Sequence, residues 1–226
     1  MPNLPSPLIP YRCIPESAGG TYTFSPTSTN KQESIPRIGT TSLITCVGIY
    51  LPISSTRCFF AHINAFVRKE EFDDRDVAKS QGEEIRAAVI AKLCTEAQRE
   101  KWSVRDVERC VDASKQIVVM CPSLGEKGCP RSGRYIIEGI KAFLGMDLAR
   151  RMSEEHCEKL QLLGFVVHHA SGEVWFLEQR WETWIDGSRD RVDEDDRRFV
   201  PQGEYVVEER SEHRDWMIVV EGKQEW

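Results

Sequence analysis

Several features that announce a function are missing from this sequence. No stretch approaches the roughly eighteen apolar residues of a membrane-crossing helix. There is no Walker loop, GxGxxG, HExxH or GxSxG, so phosphate cradles and the common hydrolase signatures are absent. Positive charge is in the minority: a net charge of −6 offers no bulk attraction for nucleic acid or an anionic membrane. The eight cysteines (13, 46, 58, 94, 110, 121, 129 and 157) contain no CxxC pair. Cys121, Cys129, His156-Cys157 and His168-His169 match no common zinc spacing. The opening MPNLPSPLIPYRC places prolines where a signal peptide needs a charged and then an unbroken apolar segment. A cytoplasmic or nuclear protein with reduced thiols is the expectation.

What is present concentrates between Ile38 and Asn64. Ser42 to Tyr50 is apolar and β-branched, Leu51-Pro52-Ile53-Ser54-Ser55 breaks it, and Thr56 to Ala65 resumes, which predicts two strands and a turn. Each strand carries one chemically able residue, Cys46 on the first and His62 on the second, with position 54 midway between them. Two strands folded about that point bring a thiol and an imidazole face to face, the arrangement a cysteine nucleophile and its base require. The thiolate is the reactive form, and the imidazole needs a group that fixes its tautomer. Thr40, a few residues before Cys46, can offer a hydroxyl or a carbonyl for this, with Thr41 as the alternative. The plainer reading is that free cysteine is a small buried hydrophobe.

Thr40, Thr45-Cys46 and Ala61-His62 resemble the signature of the CheD-type chemoreceptor glutamine deamidases, in which a threonine, a Ser-Cys and an Ala-His follow in that order. The same residues resemble those of eukaryotic protein N-terminal asparagine amidohydrolases and, more distantly, the catalytic domain of cytotoxic necrotizing factor. This chain departs from the deamidases in having Ile44-Thr45 where they keep glycine and serine, and its Cys–His interval is one residue shorter. The resemblance implies a β-sandwich scaffold with flanking helices, a Cys46–His62 pair with Thr40 orienting the histidine, and hydrolysis of side-chain amides in proteins. It implies no metal or organic cofactor.

Along the chain, residues 1–35 are rich in Pro, Ser, Thr and Asn and read as an extended arm, with a short edge strand at Tyr22 and Phe24. A long helix is predicted from Arg75 to Trp102, with Val77, Ile85, Ala88, Val89, Leu93 and Ala97 inward and Cys94 buried beside them. Ser103 is placed as the cap of a helix over Val104 to Val111. A strand follows at 117–121, then a glycine-rich loop whose Ser123 to Cys129 is a candidate rim for a site. Helices are predicted at Ser132 to Leu144 and Asp147 to Leu163, then a hairpin turning at Ala170-Ser171-Gly172-Glu173. Ser171-Gly172-Glu173-Val174 is similar to the closing turn of the CheD-type domain. One of His168 and His169 is expected inward, as a satisfied polar core residue. Residues 181–226 form a charged extension containing Trp181, Trp184, Trp216 and Trp226; within it Tyr205-Val206-Val207 and Trp216 to Val220 are placed as a strand pair.

The fold class expected is therefore α/β (α+β): arm 1–35, a CheD-like domain 36–180 and the extension 181–226. The function expected is deamidation of Gln or Asn side chains in a protein substrate, with no nucleic-acid or membrane partner and the oligomeric state left open. A peptidase on the same dyad, a non-catalytic binding module using the tryptophan-containing extension, and a scaffold protein are the alternatives.

Overall fold

The computed structural model describes residues 11–29, 31–40, 43, 46–68, 79–121, 132–156, 162–178 and 216–221. Within them the order is β1 (Arg12–Cys13), β2 (Gly19–Thr23), α1 (Lys31–Ser34), β3 (Arg37–Thr40), β4 (Val47–Pro52), β5 (Arg57–Arg68), α2 (Lys79–Glu100), α3 (Val104–Asp112), β6 (Val118–Cys121), α4 (Ser132–Leu144), α5 (Met146–Arg150), β7 (Ser153–His156), β8 (Leu162–His168), β9 (Val174–Glu178) and β10 (Met217–Glu221). This is a mixed α+β architecture. The described strands form a four-stranded sheet, β1-β3-β8-β9, and a six-stranded sheet, β10-β5-β4-β6-β7, with β2 also on β5.

The six-stranded sheet is buried on both faces, and strand alternation assigns its side chains. Val47, Ile49, Leu51, Phe59, Ala61 and Ile63 pack with Ile85, Val89 and Leu93 of α2 and Ile136 and Ile140 of α4. Tyr50, Cys58, Phe60, Val118 and Met120 pack the other way, with Ile38, Phe165 and Val167 of the four-stranded sheet. The layers are thus sheet, sheet, helices. Each fully buried Phe or Ile contributes about 1.5–3 kcal/mol relative to exposure. The helix layer packs closely because Gly82 of α2 lies against the Tyr135 ring, where a Cβ would sit 2.2 Å from ring atoms.

The 12-residue β5 is the axis of the molecule. Its first half pairs antiparallel with β2 (Gly19 opposite Ala61), and its second half pairs parallel with β10 (Met217 opposite Asn64). Residues 11–24, expected as part of an arm, supply two strands and bury Tyr11, Ile14, Ala18, Tyr22 and Phe24. Their composition cannot hold a core alone, but it can lend side chains to one built by other strands.

Other elements fall differently from the sequence expectation. The first central strand starts at Val47 and runs through Pro52; Thr41, Ser42, Ile44 and Thr45 lie outside the described residues. Proline is tolerated at its end because β6 pairs only with Gly48 to Tyr50, leaving no ladder donor to lose there. The helix expected at Asp147 to Leu163 is the short α5 followed by β7, which pairs parallel with β6 at the sheet edge. Edge pairing overrides the helical periodicity, and an edge strand accepts the charged Ser153-Glu154-Glu155-His156 sequence. Cys94 is exposed on α2 rather than buried. Trp216 to Val220 joins β5, while Tyr205-Val206-Val207, the loop 123–129 and residues 69–78 lie outside the described residues. Helix α4 and the hairpin β8–β9 fall where expected. Among the described residues no helix is long and apolar enough to cross a membrane.

Candidate active site

The β4–β5 register pairs Val47 with Ile63 and Gly48 with His62. The turn is therefore centred one residue later than position 54, and His62 faces Gly48 directly. Cys46 stands one residue before β4, and continuing the register sets it beside Asn64, diagonal to His62. Diagonal neighbours can be bridged by long side chains, but no hydrogen bond joins His62 Nε2 to Cys46 Sγ. The shift preserves parity, so Cys46 stays on the face of His62. Its packing agrees: Cys46 belongs with Leu43, Ile14 and Phe60 between the sheets, whereas Val47 belongs with the helices.

Gly48 makes this arrangement possible. A Cβ there would meet Phe165 Cε1 at 2.7 Å, Leu43 Cδ1 at 2.9 Å and Thr40 Cγ2 at 3.3 Å. The missing side chain lets Thr40, at the end of β3 in the opposing sheet, reach His62. Thr40 Oγ1 lies 2.8 Å from His62 Nδ1 and donates to the Ile14 carbonyl oxygen at 2.7 Å. A hydroxyl has one proton, and a carbonyl can only accept it. Thr40 Oγ1 therefore accepts from Nδ1–H, which leaves the lone pair on Nε2. The orienting role given to Thr40 thus has a hydroxyl behind it rather than a carbonyl, and it fixes the tautomer.

His62 is 1% exposed, and its Nε2 is buried without a hydrogen-bond partner. Burial lowers its pKa from 6.5 to about 4, so the ring is neutral at pH 7. Leaving a buried nitrogen unsatisfied costs about 1–3 kcal/mol.

Two residues that sequence reasoning missed complete the group. Glu16, in the turn between β1 and β2, places Oε1 3.8 Å from Cys46 Sγ and 2.5 Å from Asn64 Nδ2. Glu16 is exposed and Asn64 half-buried, so this is the open side of the site, whereas Cys46 itself is 4% exposed. Asn64 was legible as the next residue on the His62 face; Glu16 was not, because only the β2–β5 pairing brings it there.

The other candidates go elsewhere. His169 is buried, with Nδ1 2.8 Å from Tyr50 Oη, Nε2 3.5 Å from Lys115 Nζ and its ring stacked on Phe24 at 4.4 Å. It is the satisfied inward histidine, while His168 Nδ1 takes the Ser171 N–H at the turn. Cys46, Cys58, Cys110 and Cys121 are buried, Cys13 is half-buried and Cys94 is exposed. Among the described residues no three His, Cys, Asp or Glu side chains come together as a metal site. A surface groove lined by Arg86, Glu138, Lys141, Met146, Arg150 and Met152 lies in the helical layer and holds none of these residues.

No protein-family model matches the chain, and no curated protein does.

Proposed function

We propose that the chain is a cysteine-dependent amidohydrolase that deamidates Gln or Asn side chains carried by a protein substrate, on a CheD-like sandwich. What supports this reading above all is His62: a neutral imidazole, its tautomer set by Thr40, with a bare buried Nε2 on the face it shares with Cys46. A two-sheet sandwich bearing threonine, cysteine and histidine in this order is what the resemblance to the deamidases implies.

The chemistry runs as follows. His62 Nε2 takes the proton from Cys46 Sγ as the sulfur attacks the carboxamide carbon. Backbone N–H groups, including that of Cys46, receive the developing oxyanion. The C–N bond breaks, the nitrogen takes the proton from His62 and leaves as ammonia, and a thioester remains. Water, deprotonated by His62, hydrolyses the thioester to the carboxylic acid and returns the thiol. Because Nδ1–H stays on Thr40 throughout, the imidazolium formed in each half is held in place. An amine in place of water gives transamidation at the same site.

The test is ammonia release from Gln- and Asn-bearing polypeptides, with the mass change of carboxamide to carboxylate and an intact backbone. Cys46→Ala should release none. Backbone cleavage instead would make the protein a peptidase. A second reading, a non-catalytic binding module, is favoured by the 4% exposure of Cys46 and the carboxylate beside its sulfur. It predicts that Cys46 reacts no faster than an ordinary thiol.

A further inference from the structure

Glu16 is a poor neighbour for a thiol that must become a thiolate, since a carboxylate next to it opposes the negative charge. Yet its position is built. Ala18 N–H donates to the Pro15 carbonyl at 3.2 Å, closing the turn that carries Glu16. His62 N–H donates to the Ala18 carbonyl at 2.8 Å, and Trp216 N–H to the Ser17 carbonyl at 2.7 Å. The turn is thus fastened to both β5 and β10. Ser17 is held at φ 59°, a left-handed conformation that costs a residue with a Cβ free energy. The side chain is tethered in turn by Asn64 Nδ2. The buried, unpartnered Nε2 of His62 lies on the same face, and Ser17 Oγ, next along the turn, is also buried without a partner.

We infer that Glu16 is a specificity-determining residue that makes the Cys46 site select a carboxamide over a carboxylate. The inference rests on the reading of Cys46 as the nucleophile. A carboxamide whose carbon approaches Sγ brings its NH2 group within reach of an oxygen 3.8 Å from that sulfur. Glu16 can only accept, and an amide nitrogen can only donate, so substrate is bound. The reaction replaces that nitrogen with an acidic oxygen, which Glu16 repels, so product is expelled. A feature that opposes thiolate formation in the empty site thereby gains a role once the amide is present.

Iodoacetamide and iodoacetate differ in just this group, and both alkylate thiols without requiring deamidase activity. The rate of each is measured by mass spectrometry at Cys46, with exposed Cys94 as the reference in the same molecule. In the wild-type protein the iodoacetamide-to-iodoacetate ratio at Cys46 is expected to exceed that at Cys94 by about ten-fold or more, as two like charges a few ångströms apart require. Glu16→Gln should bring the ratio down to that of Cys94, while Glu16→Asp, which keeps the charge, should retain a raised ratio and so exclude misfolding as the cause. Equal ratios at Cys46 and Cys94 in the wild type, a raised ratio that survives Glu16→Gln, or no alkylation of Cys46 by either reagent would overturn the inference. Ammonia release, measured alongside, reports separately on the hydrolase. Release without selectivity removes only the role of Glu16; selectivity without release keeps that role and removes the hydrolase.

Discussion

His62 and His169 are each 1% exposed, and burial lowers the pKa of each to about 4. They differ in what surrounds the ring. His169 has partners at both nitrogens, Tyr50 and Lys115, a stacked Phe24, and a lysine that also donates to its carbonyl oxygen at 2.9 Å. His62 has one partner, Thr40, and a bare nitrogen. Equal burial and equal pKa direction therefore do not identify a functional histidine. The unsatisfied atom is what sets His62 apart, because a buried polar group is ordinarily paired and an exception calls for a reason.

The largest expected effect that separates the two is on activity. His62→Ala and Cys46→Ala should each lower ammonia release by about a thousand-fold or more. His169→Ala should lower it only in proportion to unfolded protein. Equal losses from both histidine variants would erase the distinction.

The two histidines should act together on stability. Each binds its proton more weakly folded than unfolded, so the unfolded chain takes up more protons between about pH 6.5 and pH 4. Stability is full above that window and is lost as pH falls through it, by up to about 3 kcal/mol for each. Thermal unfolding should show a midpoint that is flat near pH 7–8 and drops below pH 6. A midpoint that rises on acidification would mean that one ring is charged in the folded state.

Next in size is the polar shell. Thr40→Val keeps the shape but removes the acceptor for Nδ1–H, and should cost about 1–3 kcal/mol in denaturant unfolding. It should also lower ammonia release further than loss of folded protein explains, whereas Tyr50→Phe, its counterpart at His169, should move stability alone. The smallest change is Gly48→Ala. Its methyl group meets Phe165, Leu43 and Thr40, and a cost of about 1–3 kcal/mol by overpacking is expected, with Thr40 displaced from His62. Wild-type stability in this variant would show that the space over His62 is not closed.

The parts of this fold that could be read from the chain are those set by local pattern. Helix α4 and the β8–β9 hairpin repeat their periodicity and turn residues within one segment. Cys46, His62 and Thr40 were legible because two lie on one hairpin and the third just before it. What depends on distant pairing was not. Residues 153–156 become a strand only because β6 offers an edge, and Glu16 reaches Cys46 only because β2 lies on β5. The hairpin register, too, is one residue from symmetric about position 54, and the residues Ser54-Ser55-Thr56 do not by themselves mark which of them is the centre.

The central claim is that His62 serves the sulfur of Cys46. Its most direct test is the rate of Cys46 alkylation by iodoacetamide as a function of pH, in the wild-type protein and in His62→Ala. The account predicts that His62, neutral at pH 6–7, takes the thiol proton as the sulfur attacks, so that the wild-type rate at this pH exceeds that of His62→Ala. Superimposable curves for the two proteins would contradict it.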